Sequence, residues 1–427
     1  MMSTLKTRHK KRLKEGLSML NIEKIRNDFP MLNNITNSGN PLIYFDNSAT
    51  TLKPQCVIDA VMNYYKNMTA NVHRGDYDLS HNVDVEYEKS RLTIAKFINA
   101  KKEEIVFTNG TTSGINMVSF GLGEMIINPG DEIIISEAEH ASNILPWYRV
   151  ADTKKAKIVF VPLDEKGRIT IDNLKKVITS KTKIISLAHV GNVLGYVLDV
   201  KNIAKLCHEK NIIFVCDGAQ GIAHQKIDVK DLDCDFYIFS AHKMLGPSGV
   251  GAVYGKIDLL EEMPPFILGG GSNSRFDNTG KVYLKKSPYK FEAGTPAIEG
   301  VIGFRKAVEY LEDVGMDNIS KYEKELKDYA ISKLKEIKEV TIYNIDCDAA
   351  IISFNYKDVF AQDLGTHYNS YGIAVRTGQH CAKLLPNIIK TPSVVRASFY
   401  FYNTKEEIDK FIKVTKKGSE YLDVYFR

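Results

Sequence analysis

The chain has 427 residues, 44% of them hydrophobic, with 57 basic against 52 acidic side chains. That length buries a large core and suits two or three domains better than one. A formal charge of +5 is too even to argue for nucleic acid or a membrane surface, and no apolar run approaches the length of a membrane span, so small-molecule chemistry is expected.

Residues 1–20 contain a basic cluster, Lys6, Arg8, Lys10, Lys11, Arg12 and Lys14, without a hydrophobic signal core. The stretch reads as a disordered, solvated extension, with a transit peptide as a second reading and Met19 as an alternative start. Residues 21–297 then read as a large domain, its first twenty or so residues free to pack on a smaller α+β domain spanning 298–427. The cysteines (Cys56, Cys207, Cys216, Cys234, Cys347 and Cys381) form no Cys-x-x-Cys pair and no zinc-like cluster. Neither a disulfide framework nor a metal is expected, and a reducing cytoplasm fits.

From about residue 100 to 256, short β-branched runs alternate with longer helical or polar stretches, which predicts an α/β fold with a mostly parallel sheet and crossover helices. Seven runs carry it: Glu104–Phe107, Ile133–Ile135, Lys157–Val161, Lys183–Leu187, Ile212–Val215, Phe236–Phe239 and Gly251–Tyr254. Such sheets bind ligands outside the carboxyl ends of their strands. The first run is followed by a Gly/Thr turn into a helical stretch, where Thr111 and Thr112 suit a phosphate, a simple N-cap being the plainer reading. The second leads to Glu139-His140, the fourth to Asn192 in a glycine-flanked turn, the fifth to Asp217-Gly-Ala-Gln220, and the sixth to Ser240-Ala-His242-Lys243. An anion cradle, an imidazole, an acid and an amine at one sheet edge match pyridoxal phosphate, which needs a lysine for its aldehyde and a carboxylate to keep its ring nitrogen protonated. The absence of G-x-x-x-x-G-K-[ST] and of G-x-G-x-x-G after a strand disfavours a nucleotide.

Residues 264–297 are rich in Gly, Pro and Ser and read as a long functional loop or hairpin. Helices are expected at about 298–315 and 318–338, strands at Val340–Tyr343, Ala350–Phe354, Gly372–Val375 and Val394–Ser398, and a closing helix from about Thr404. Between these strands lies Arg376-Thr-Gly-Gln-His-Cys381-Ala, where a cysteine flanked by His380 and near an arginine has the positive surroundings and exposure a thiolate nucleophile needs. Cys216 and Cys234 belong to apolar strand runs and read as packing. Arg396 can clamp a carboxylate through two parallel hydrogen bonds, an ordinary salt bridge being the alternative.

Asn71-Val-His-Arg-Gly75, Asn109-Gly-Thr-Thr112, Glu139-His140, Asn192-Val-Leu-Gly195, Asp217-Gly-Ala-Gln220, Phe239-Ser-Ala-His-Lys243, Phe291-Glu-Ala-Gly-Thr-Pro296 and Arg376-Thr-Gly-Gln-His-Cys-Ala382 together resemble the SUF-type (group II) cysteine desulfurases. These are fold-type I pyridoxal-phosphate enzymes of the class V aminotransferase group, and the resemblance runs in order from about Ile22 to the C-terminus. It implies that Lys243 holds the cofactor and moves the substrate proton, that Asp217 pairs with the ring nitrogen, that His140 stacks on the ring and that Gln220 meets its phenolic oxygen. Thr112, Ser240 and His242, with Thr111 beside them, would bind the phosphate, helped by Thr295 of the partner subunit in a homodimer. Asn192 and Arg396 would hold the substrate carboxylate, with His73, Arg74 and Arg376 at the entrance. L-Cysteine would give L-alanine and a Cys381 persulfide, passed to a SUF-type scaffold or carrier for iron–sulfur cluster assembly. Selenocysteine lyase, or another class V pyridoxal-phosphate reaction, is the alternative, and a non-catalytic assembly subunit a more distant one. The chain departs from the family at Gln379-His380 (His-His there), Leu384 (Pro), Ser113 (Glu) and the Ala141-Ser142 spacing before Asn143, none of which performs a bond change.

Overall fold

The computed structural model describes residues 20–73 and 75–426. Seven strands build the main sheet: β1 (Ile105–Thr108), β2 (Glu132–Ile135), β3 (Lys157–Phe160), β4 (Thr182–Ala188), β5 (Ile213–Asp217), β6 (Phe236–Ser240) and β7 (Gly251–Gly255). Their order is β1-β7-β6-β5-β4-β2-β3, and only β7 runs antiparallel to its neighbours. Successive side chains go to opposite faces. Phe107, Ile134, Ile185, Phe214, Tyr237 and Phe239 therefore join one buried cluster, while Val106, Ile133, Ile135, Ile184, Val215 and Ile238 join the other. Layers on both sides explain why the strands read as unbroken apolar runs rather than as alternating ones.

Strand ends differ from the sequence reading by a residue or two, and Cys234, read as part of an apolar strand run, precedes β6 together with Asp235. The Asp235 carboxylate is drawn aside to accept the Phe214 N–H at 2.8 Å and to pair with Lys256 at 3.0 Å.

Helix α1 (Thr111–Ile126) follows β1 directly, starting earlier than its apolar pattern suggests. Beyond the sheet, the stretch 264–297 carries an antiparallel hairpin, Asn273–Phe276 with Val282–Leu284. Helices α2 (Ile298–Val314) and α3 (Met316–Leu334) lead to a second, four-stranded antiparallel sheet. Its strands are β8 (Val340–Ile342), β9 (Ile351–Tyr356), β10 (Arg376–Gly378) and β11 (Val394–Ser398), in the order β8-β9-β11-β10. Helix α4 (Lys405–Thr415) closes the fold behind a capping box formed by Thr404 and Glu407. The N-terminal segment crosses to this half: Ile43–Tyr44 pairs in parallel with Ile373–Ala374, Phe45 enters the core around β9, and Asp46 bridges to Ser398. Among the described residues no helix is long and apolar enough to cross a membrane.

Candidate active site

The carboxyl ends of β1, β5 and β6 meet the β10–β11 edge of the second sheet around a cavity of about 240 Å³. Asp217 is the last residue of β5 and is buried there, its Oδ1 accepting the Ala219 N–H at 3.0 Å. Burial pushes its carboxyl up, against that N–H and the nearby Lys243 charge. Lys243 closes the short turn after β6. Burial brings its amine down to about 8; Asp217 opposes the shift, and the guanidiniums of Arg396 and Arg376 reinforce it.

That turn is pinned from behind. The His242 carbonyl accepts the Thr51 N–H at 3.0 Å, the Thr50 hydroxyl at 3.0 Å, the Thr51 hydroxyl at 3.2 Å and the Lys53 amine at 2.9 Å. Burial lowers Lys53 to about 7. None of these three residues figured in the sequence reading, although the hydroxyl pair Thr50-Thr51 was the available signal.

An anion cradle lies beside the lysine. Gly110 precedes α1 at φ +124°, no side chain caps the helix, and the Thr111 N–H donates to Ser240 Oγ at 2.7 Å. The hydroxyls of Thr111 and Ser240 lie 2.7 Å apart, as do those of Thr112 and Ser142. An uncapped helix N-terminus ringed by hydroxyls suits a phosphate. The approach depends on Gly251, where a Cβ would fall 2.4 Å from the Phe239 carbonyl oxygen and 2.7 Å from Gly110 Cα.

His140 and His242 also line the cavity. Burial, reinforced in both by the Lys243 charge, lowers each to about 4, so both rings are neutral. His140 Nδ1 accepts the Ser142 N–H at 3.1 Å, which leaves its proton on Nε2. Gln220 donates Nε2 to the Ser48 carbonyl at 2.8 Å. On the opposite wall, Arg396 donates to the Asn192 carbonyl at 2.8 Å and to Asp46 Oδ1 at 3.1 Å, while Arg376 lies 3.6 Å from Asp46 Oδ2. Asn192 spends one side-chain N–H on the His380 carbonyl at 2.9 Å. Asp46 is the second element that the sequence reading missed.

Cys381 is exposed and lines the same cavity. Of the two positive neighbours expected from sequence, Arg376 lines this cavity, whereas His380 brings no charge to it. His380 is buried, donates Nε2–H to the Val394 carbonyl at 3.2 Å and is brought down to about 3 by burial and then by Arg396, so it is neutral and turned into the core. Lys243, Arg376 and Arg396 line the cavity with Cys381.

Two expected residues lie elsewhere in this chain. Thr295 and His73 share a different depression, next to Asn71, Gly270 and Tyr289, and Asn71 Nδ2 donates to Thr295 Oγ1 at 3.3 Å. Arg74 lies outside the described residues.

The assembled residues fit pyridoxal phosphate. A buried carboxylate with a single backbone donor faces an amine of lowered pKa, a neutral imidazole stands beside them, and the cradle supplies only hydrogen-bond donors and hydroxyls. A mostly parallel sheet that ends in such a set defines a pyridoxal-phosphate-dependent enzyme.

The model of the class-V aminotransferase family matches residues 43–411, and the chain belongs to that family. It is 44% identical over 411 residues to a probable cysteine desulfurase of Halalkalibacterium halodurans, covering 95% of this chain and 100% of that protein. It is 42% identical over 403 residues to a cysteine desulfurase of Wigglesworthia glossinidia brevipalpis, covering 94% of this chain and 98% of the relative. Among solved structures, the Escherichia coli cysteine desulfurase CsdA superposes with a TM-score of 0.88 at 35% identity, covering 94% of this chain and 99% of that one. The apo cysteine desulfurase of Thermococcus onnurineus NA1 gives 0.88 at 36% identity, covering 94% and 98%.

Proposed function

We propose that this chain is a cysteine desulfurase that converts L-cysteine to L-alanine and leaves the sulfur as a persulfide on Cys381. The observation that carries the reading is one cavity lined by Lys243, Asp217 and an exposed cysteine, Cys381. Lys243 would hold pyridoxal phosphate, Asp217 its ring nitrogen, Gln220 its phenolic oxygen, and Thr111, Thr112, Ser240 and His242 its phosphate, with neutral His140 against the ring face. When bound, the cofactor supplies an electron sink for the charge left when the substrate loses its α-proton.

The chain's own residues do the rest. Arg396 and Asn192 orient the substrate carboxylate, with Arg376 at the entrance. The Lys243 amine, held at about 8, has a neutral form close to physiological pH that can accept the α-proton and return it to the carbon skeleton. The Cys381 thiolate attacks the substrate sulfur; the S–S bond forms as the substrate C–S bond breaks, and its electron pair stays with the carbon that becomes the methyl group of alanine.

The working form is proposed to be a cytoplasmic homodimer that feeds a SUF-type acceptor for iron–sulfur cluster assembly. The position of Thr295 supports the dimer. It borders an apolar cavity of about 440 Å³ that also touches Thr112, near the exposed Ile267 and Leu268, so Thr295 of the partner subunit has a route to the cradle, with His73 beside it. The two domains are taken as residues 21–297, which supply Lys243 and Asp217, and 298–427, which supply Cys381, Arg376 and Arg396.

The test is to incubate the loaded protein with L-cysteine, trap the persulfide with an alkylating label and locate it by mass spectrometry. The label is expected on Cys381, and Cys381→Ser should abolish sulfide release while substrate still perturbs the cofactor spectrum. A label absent from Cys381 refutes the proposal.

A further inference from the structure

The segment that ends β5 with Asp217 continues through Gln220 into a buried helical turn, Gly221–His224. His224 closes that turn against helix α3. Its Nδ1 lies 2.8 Å from Glu323 Oε2, and the two residues are only 6% and 3% exposed. The second carboxyl oxygen, Glu323 Oε1, is buried and has no hydrogen-bond partner among the described residues. An unpaired oxygen of a buried carboxylate costs far more than an unpaired neutral carbonyl. The contact is therefore best satisfied by one proton on Oε2, donated to Nδ1, with both groups neutral. Burial acts in the same direction, pushing the Glu323 carboxyl up, with His224 opposing the shift.

The same turn is tied to the strand that carries Arg396. Tyr400, two residues beyond β11, donates its hydroxyl to the Ala223 carbonyl at 3.1 Å and sets its ring edge-on to His224 at 5.5 Å. Burial pushes Tyr400 and its neighbour Tyr402 up, so both stay protonated. Lys327, one turn along α3, spends its amine on the Cys347 carbonyl at 2.6 Å. On the sheet side, against Gly221, His189 is held neutral at about 4 by burial and bonds the Tyr237 hydroxyl at 2.9 Å.

We infer that His224 and Glu323 share a single proton and form a pH-sensitive latch. Closed, it fixes the Asp217–Gln220 segment against α3 and the β11 end; it opens when the proton leaves. Loss of the proton puts a carboxylate oxygen without a donor in the core, and the turn shifts to admit water. The folded protein holds this proton above the range of an unfolded glutamate, so the latch's contribution is full at low pH and is lost as pH rises. Its link to the cofactor rests on the reading of Asp217 as the partner of the ring nitrogen.

The test is hydrogen exchange of peptides covering residues 217–224, followed by mass spectrometry with and without pyridoxal phosphate. Corrected for the intrinsic chemical rate, the rise in exchange between about pH 6 and 9 should be roughly tenfold larger in the wild type than in Glu323→Gln, the change that one pH unit through a single titrating proton produces. The glutamine keeps a hydrogen bond to His224 but has no proton to lose. Glu323→Met lacks the proton too, and replaces it in the comparison if the amide variant does not fold. In the loaded wild type, release of the cofactor should accelerate along with exchange. Infrared spectra at neutral pH should lose one protonated-carboxyl band in Glu323→Gln, while that of Glu139 remains. A merely structural contact raises exchange equally at every pH; that result, an equal rise in wild type and variant, or loss of a carboxylate band instead overturns the latch. A wild type that takes up no pyridoxal phosphate removes the reading of the cavity, while exchange in the unloaded protein still decides the latch.

Discussion

Glu139 gives a sharp test of the electrostatics behind the site. It is 2% exposed, with Oε1 accepting the Ala188 N–H at 3.0 Å and Oε2 accepting Asn143 Nδ2 at 2.8 Å. Burial pushes its carboxyl up from 4.5 to about 8, with the nearby Asp217 adding to the shift and the two hydrogen bonds opposing it. The folded protein therefore keeps a proton across the window from pH 4.5 to 8 that the unfolded chain has released, so this group's contribution to stability is full below the window and is lost as pH rises through it. At about 1.4 kcal/mol per unit, the whole window is worth on the order of 5 kcal/mol and the span from pH 6 to 8 roughly 2 to 3 kcal/mol. Glu139→Gln has no proton to release. It carries a cost of about 1–3 kcal/mol independent of pH, because its amide would face Asn143 Nδ2 while Asn143 Oδ1 is held by Trp147 and Ser186. Trp147, the chain's single tryptophan, is fully buried and two hydrogen bonds from the carboxyl, so its fluorescence during urea unfolding is the readout. The stability gap between variant and wild type, in the same cofactor state, should shift by about 2 to 3 kcal/mol in the variant's favour between pH 6 and 8. A gap constant to within about 0.5 kcal/mol would refute the assignment.

Arg91 is buried and donates to both oxygens of Glu292, at 2.6 and 2.8 Å, and to the Ile105 carbonyl at 2.9 Å, so Arg91→Met should cost about 3–5 kcal/mol in urea unfolding by leaving the Glu292 carboxylate unpaired. Gly251→Ala places a Cβ against Gly110 and Phe239, and should cost about 1–3 kcal/mol and weaken pyridoxal-phosphate retention, measured by absorbance after gel filtration, because it spreads β1 from β6 beneath the cradle.

The seven strands and the polar groups at their ends were legible because a doubly covered sheet demands continuous β-branched runs, and its ligands gather where those runs stop. What stayed hidden depends on pairings between distant segments. Asp46 acquires meaning only when its backbone bridges to Ser398, and Thr50, Thr51 and Lys53 only when the N-terminal segment passes behind His242. Adjacency in sequence was also misleading at His380: next to Cys381 it resembles a cationic activator, yet its ring turns inward to the Val394 carbonyl and stays neutral.

That inward turn bears on how the thiol is presented. His380 and Cys381 both adopt the left-handed region, at φ +52° and +59°, a conformation that costs roughly 1–2 kcal/mol for each non-glycine residue. The surroundings hold them there. The Ala141 N–H donates to the Cys381 carbonyl at 2.8 Å, Asn192 Nδ2 to the His380 carbonyl at 2.9 Å, and the His380 ring to Val394 at 3.2 Å. Two of these donors follow β2 and β4, one of them beside His140. The sheet edge that assembles the cofactor site thus also fixes the backbone carrying the cysteine, so a shift of β10 and β11 away from the large sheet would disturb both the Arg396–Asn192 contact and the thiol's position together.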